Sequence, residues 1–422
     1  MALLLERRAR MTALQPINLI VGIVLAYLVS FCDQAIDLAY GIPPLYGQVL
    51  CLAILFACAV TDLASGDGYS FALTRAQARF IILLGVYVVW VAAAYLYSSQ
   101  SDNTILRLVT LWKPVAFMVV CVPLFRRRGA AETLRFACLV AALFGSGMAI
   151  FDFFVPTFST VPGRGAGFYL NPNDTGFMLV ALAVVATSPS RIQMNYLLWA
   201  VVTPGAFMTF SRAAWMMLII GLSGQALLGH FGGGRRRFIF VGAVGACLAF
   251  MFVLYATGGL YDFVATTNLA AYLDPNTVVR LGAYGANLDD ASALERQAAL
   301  ERGLQTFYSA PILGRGLGYT FEWDFQVSTH NTYVMFLAEM GLVGFAIYCA
   351  LLGVALAGAT GNARLLVVLF AFASFFSHNM LDVPGFALVL VLAVTSEGEE
   401  VHRHVAVGSR ETGMPEGLRS WP

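Results

Sequence analysis

Long apolar runs separated by short polar stretches set the pattern of this chain. Twelve of them, at about 14–32, 44–60, 79–97, 104–124, 133–155, 173–188, 192–209, 213–229, 237–257, 331–356, 363–378 and 383–396, reach or approach the ~20 apolar residues that a membrane-crossing helix needs. The pattern predicts an all-α polytopic membrane protein with about twelve transmembrane helices. The first run follows Arg7, Arg8 and Arg10 and lacks a small-residue cleavage site, so it reads as a retained helix rather than a signal peptide. Four regions follow: spans one to nine over 1–257, one long connection over 258–330, spans ten to twelve over 331–396, and a polar tail over 397–422.

Composition agrees. Of 422 residues 59% are apolar and only 12% charged, against about 25% charged in a soluble domain. A water-soluble enzyme and a disordered chain are both excluded, and a net charge of +1 argues against nucleic-acid binding. The cysteines (Cys32, Cys51, Cys58, Cys121, Cys138, Cys247 and Cys349) all lie in apolar runs without a CxxC pair, which suggests neither a metal centre nor a redox role. Arginine placement orients the chain, because loops kept in the cytoplasm retain positive charge. With the N-terminus inside, the Arg126–Arg128 and Arg235–Arg237 runs and both tails lie inside. Only Arg164, Arg212, Arg280, Arg296, Arg302 and Arg315 fall outside. Both termini are thus expected in the cytoplasm.

The 258–330 connection is too long to be a simple link, and loops of that length are usually functional or disordered. Ser292-x-x-Glu295 forms a capping box, with Asp289 and Asp290 suited to the positive end of the helix that follows. That helix should reach about Tyr308 and stop at Pro311, Gly314, Gly316 and Gly318. Leu300, Leu304 and Phe307 form its apolar stripe, and Arg296 lies one turn earlier on the same face, where it either snorkels to water or meets an anion.

Other outer residues invite chemistry. Arg212, in a very short turn, is either an interfacial anchor or a fixed cation at the membrane boundary. His330 stands where the tenth span begins; the positive helix end there disfavours imidazolium, so the group is a neutral base or a helix cap. Lys113, the sole lysine, lies near mid-span, where a charge is a functional hypothesis by default or pairs with a carbonyl freed by Pro114. Arg107 is expected to snorkel. His378 and Asp382 can orient His330 or a second substrate, with helix capping the plainer role for Asp382. His402 and His404 read as part of a solvated tail, and Arg315, between two glycines, is assigned no role.

The stretch from Arg296 through Pro311-Ile-Leu-Gly-Arg-Gly-Leu-Gly318 to His330-Asn-Thr-Tyr and Glu339-Met-Gly341-Leu-Val-Gly344 resembles the O-antigen ligase and polymerase superfamily, as does Asn171-Pro172-Asn173. The resemblance implies a GT-C-type glycosyltransferase of a bacterial inner membrane, with a periplasmic active site and an undecaprenyl-diphosphate-linked O-antigen as donor. By position it implies His330 as the base that activates the acceptor hydroxyl. It also implies Arg212 and Arg296 on the donor diphosphate. Apart from the resemblance, Lys113 is expected as a further diphosphate contact, and Asn331 and Asp382 in support of the site. Arginines in that role need no divalent metal, and the outer side shows no compact cluster of Asp, His and Cys. The expectation is therefore an inverting enzyme with no metal and no cofactor. A ligase acting on a lipid A–core oligosaccharide is favoured over a polymerase, because no outer arginine has the spacing to glycine that some polymerases show. It is favoured over a protein-modifying relative because only 397–422 follow the last span. A twelve-span transporter of lipid-linked glycan is the reading from another class, though no internal repeat is visible.

Overall fold

A computed structural model describes residues 15–65, 73–232, 291–323 and 329–396, with scattered positions between 234 and 278. The chain is all-helical among the described residues: α1 Pro16–Val29, α2 Cys32–Tyr40, α3 Pro44–Ala64, α4 Arg75–Leu96, α5 Asp102–Phe125, α6 Ala130–Phe154, α7 Pro172–Ala186, α8 Ile192–Phe207, α9 Arg212–Leu227, α10 Ala291–Ser309, α11 Tyr319–Glu322, α12 Thr332–Gly358, α13 Gly361–Ala373 and α14 Pro384–Thr395. The ninth apolar run at 237–257 and the acidic pair Asp289 and Asp290 fall largely or wholly outside the described residues, as do His402 and His404.

Among the described residues five helices (α3, α4, α5, α6 and α12) are long and apolar enough to cross a membrane, and α1 with α2 makes a sixth if that pair, bent by 60°, counts as one span. The chain is a multi-pass membrane protein by that standard. Helices α7, α13 and α14 are apolar but shorter. The sequence-based figure of twelve is thus not reached among the described residues, even though each described apolar run is helical.

Local chemistry explains most helix starts. Ser101, Asn171, Ser211 and Asn331 each accept a backbone N–H of the first turn, and Thr74 with Gln77 closes a capping box at α4. The bend between α1 and α2 falls at Phe31, whose φ of 55° no helix tolerates. Apolar character on every face marks a helix for the interior. Accordingly α7 and α14 are buried along nearly their whole length, whereas α3 and α4 turn Phe56 and Val89 outward. Helix α12 packs on α4, α14 on α5, α6 on α1 and α7, and α10 on α12.

Helix α12 is cut at Gly341 (φ 65°, ψ −164°). The i→i−4 bonds from Leu342 and Val343 are replaced: their N–H groups donate to Pro311 O (2.9 Å) and Ile312 O (3.5 Å). The carbonyls they leave, Ala338 O and Glu339 O, accept from Arg315 N and Gly316 N at 2.9 Å. A membrane helix can break only where its backbone groups are satisfied again, and residues 311–316 do so here. A Cβ on Gly341 would collide with the Ile312 carbonyl, and one on Gly314 with the Glu339 backbone. The strap is also tied to the α4–α5 turn: Tyr97 Oη donates to Leu313 O (2.5 Å) and Leu317 N donates to Ser98 Oγ (2.7 Å).

The packing face of α10 differs from the expected stripe. Leu300 is 37% exposed, while Ala299, Gly303 and Thr306 are buried. A Cβ on Gly303 would strike Val334 and approach Thr329 at 3.7 Å. Small residues let α10 lie close on the start of α12, and larger ones at those positions would hold it off. The helix also already includes Ala291 and Ser292, earlier than the capping box places its start.

Candidate active site

The start of α12 is held by the connection from α13 to α14. The Asn331 side chain accepts from Val334 N (3.1 Å), and Thr332 N donates to Ser374 O (2.8 Å) and Ser377 O (3.0 Å). Immediately before this cap, His330 has φ 47°, a left-handed conformation that costs a non-glycine residue of order 1 kcal/mol and persists only where its surroundings impose it. Its ring meets that of His378 edge to face, with centroids 5.7 Å apart. Burial first, and then the positive charge of Arg296, push the His330 imidazole down to about 4. Burial, His330 and Arg107 push His378, in the connection beyond α13, down to about 3. Both rings are neutral at pH 7.

Arg296 reaches this point because of the α10 face. Seven residues make nearly two helical turns, so Arg296 shares the face of Gly303, which lies against Thr329 and Val334. Arg296 is partly buried, and its positive charge acts on His330.

Arg107 corrects the expectation of snorkelling. It is 3% exposed and forms ion pairs with Glu339 (3.3 Å) and with Asp382. Its guanidinium carbon lies 5.3 Å from the Phe321 ring centroid, and Thr320 donates to the other oxygen of Glu339 (2.5 Å). Asp382 is therefore a partner of Arg107 rather than a cap on α14, whose N-cap residue Val383 offers no side-chain bond. The Glu-x-Gly-x-x-Gly stretch acquires a physical meaning: Glu339 anchors Arg107 and Gly341 makes the break that receives the strap.

A second group forms where α7 and α9 begin. The Asp152 carboxylate, at the end of α6, accepts backbone N–H groups from Thr157 (2.9 Å), Phe158 (2.7 Å), Ala166 (2.9 Å) and Gly167 (3.0 Å) and so ties down the loop to α7. This sets Arg164, which is buried and donates to Thr209 O (2.7 Å) and Asn173 Oδ1 (3.3 Å). Asn173 Oδ1 also accepts from Ser211 Oγ (2.7 Å), the cap of α9, whose first residue is Arg212. Sequence reasoning gave Arg164 no role; its place between Gly163 and Gly165, just before Asn171-Pro172-Asn173, was the available signal.

The two groups share one end of the molecule. Asp174, next to Asn173, hydrogen-bonds Ser377, whose carbonyl accepts from Thr332 beside His330. Lys113 is half-buried within α5, and its charge acts on Asp33 and on Asp382, the partner of Arg107. Among the described residues no group of three or more His, Cys, Asp or Glu side chains is arranged to hold a metal ion.

A search of curated proteins finds no match to the chain. The family model described as O-antigen ligase matches residues 196–349, a segment running from α8 to the middle of α12 and containing Arg212, Arg296, the strap and His330. Proteins of that family are glycosyl-transfer enzymes of the O-antigen ligase or polymerase type, which act on lipid-linked glycans. Over residues 196–349, somewhat more than a third of its length, this membrane protein is thus similar to the O-antigen ligase family.

Proposed function

We propose that the protein is an O-antigen ligase, a GT-C-type enzyme of about twelve spans in a bacterial inner membrane. It would transfer a glycan from undecaprenyl diphosphate to a hydroxyl of a lipid A–core oligosaccharide at the periplasmic face. The observation that carries this reading is the neutral imidazole of His330 beside the Arg296 guanidinium at a helix N-terminus. His330 takes the proton of the acceptor hydroxyl as its oxygen attacks the anomeric carbon. The bond from that carbon to the diphosphate breaks, and its electron pair leaves on the phosphate oxygen. One displacement inverts the anomeric configuration.

Charge accumulates on the leaving diphosphate, so the cations matter most late in the step. Arg212 and Arg296 meet it, and the N-termini of α7, α9 and α12 add their positive ends. Removing one such preorganised donor typically costs about 10²–10³ in rate. Arg212 occupies the first residue of α9, where the helix dipole disfavours a cation, so its position serves an anion better than it serves the helix. Asn331 and Asp382 support the base through the α12 cap and the Arg107 pair. Lys113, whose charge already interacts with Asp33 and Asp382, contributes less to the diphosphate than the arginines. With the charge handled by guanidinium groups, turnover requires no divalent ion.

The test uses purified protein in detergent with undecaprenyl-diphosphate glycan, lipid A–core and EDTA. A joined product of inverted configuration is expected. Elongated glycan still on its lipid carrier would instead assign a polymerase. Activity only in sealed vesicles, as movement of unmodified donor, would assign a transporter.

A further inference from the structure

Phe321 is 46% exposed, although it adjoins the buried Arg107 and the partly buried His378. The Arg107 guanidinium lies over the ring at 5.3 Å and is itself fixed by Glu339 and Asp382. On another side the ring meets His378 at 6.1 Å, and His378 meets His330 at 5.7 Å. The α11 turn that carries Phe321 is pinned by Thr320 to Glu339 and by Ser101 to Glu322. The ring is thus rigidly held with surface left open, two ring separations from the imidazole assigned as the base.

We propose that Phe321 is the platform on which a pyranose ring of the acceptor saccharide stacks while its hydroxyl reaches His330. A sugar presents C–H groups on its faces and hydroxyls at its rim. The C–H groups suit an aromatic face, and the rim suits the hydrogen-bonding edges of two neutral imidazoles. The Arg107 cation already covers part of the ring and fixes its orientation, so little side-chain freedom remains to be lost on binding. Asp382 Oδ1, on the carboxylate bonded to the same guanidinium, is buried and accepts no hydrogen bond. The row from Arg107 to His330 therefore ends in apolar surface and polar edges together, which is the chemistry of a saccharide rather than of a lipid tail. The proposal rests on the transferase reading and adds which residue recognises the acceptor.

The test compares Phe321→Ala, Phe321→Leu and Phe321→Tyr with the unaltered protein, measuring acceptor and donor KM separately. Phe321→Ala and Phe321→Leu are expected to raise the acceptor KM about tenfold, the scale of one lost aromatic stacking contact. The donor KM should stay unchanged, and Phe321→Tyr should keep the original acceptor KM. Saturation-transfer NMR with free core oligosaccharide gives a readout without turnover, and sugar ring protons should lose their signal in Phe321→Leu. A Phe321→Leu protein with unchanged acceptor KM and an unchanged transfer signal would make the ring a lipid-interface anchor and overturn the proposal. If the unaltered protein joins no donor to acceptor, the transferase reading fails instead, and the NMR comparison still decides whether the ring binds saccharide.

Discussion

Arg212 and His330 each stand at a helix N-terminus, where a positive charge is unwelcome. For His330, burial and then the Arg296 charge keep the ring neutral until the pH falls to about 4. Activity governed by the free enzyme, kcat/KM, should therefore lose its acid limb only near pH 4, as the imidazole protonates. A bound diphosphate offsets the Arg296 charge and strengthens the base, so the limb in kcat should lie at higher pH. Arg296→Gln removes one of the two causes of the depression, and the kcat/KM limb should move upward while the rate falls by about 10²–10³. A pH–rate series on both proteins checks these directions, and limbs that coincide in all four curves would contradict the assignment. Residue chemistry was partly legible beforehand. His330, Arg212 and Arg296 stand out as polar groups at the ends of apolar runs. Arg107 did not, because its partners Glu339 and Asp382 are 232 and 275 positions away, and an arginine near a span end looks like one that snorkels.

At the scale of elements, the site depends on a broken helix and a tied loop. Gly341 combines a left-handed φ with a carbonyl where its Cβ would stand. Gly341→Ala should cost about 1–3 kcal/mol and release the 311–316 strap that leads into α11 and Phe321, read as a lower Tm with transfer reduced in parallel. Full stability and full activity would mean that the break is not needed. Asp152→Ala removes the acceptor of several backbone N–H groups and loosens the loop holding Arg164, Asn173 and the cap before Arg212. The expected outcome is a raised donor KM with an unchanged acceptor KM. The positions of most helices were readable from apolar runs and caps. The face of α10 was not: a search for large apolar residues selects Leu300 and Leu304, whereas close approach selects Ala299, Gly303 and Thr306. Helix lengths also exceeded what hydropathy resolves, since buried α7 and α14 need not span lipid by themselves.

For the whole molecule, arginine distribution predicts the orientation and contacts fix which ends meet. In a cysteine-free background, cysteines at the exposed positions of Thr160 and Tyr308 should react with an impermeant thiol reagent from the periplasmic side. One at Ser190 should react only after the membrane is opened. Labelling of 160 and 190 from the same side would break the topology and, with it, the periplasmic site. The apolar runs made the membrane class legible at once, but proximity between α7, α9, α10 and α12 is a property of packing that no hydropathy profile contains.

The central claim is that one neutral imidazole, set beside diphosphate-binding guanidinium groups, performs the proton transfer. It is tested most directly by measuring donor binding and transfer together in purified His330→Ala protein. Donor affinity within about twofold of the unaltered protein with no joined product is the expected result, since Arg212 and Arg296 remain. Transfer by His330→Ala at an undiminished rate would contradict the account.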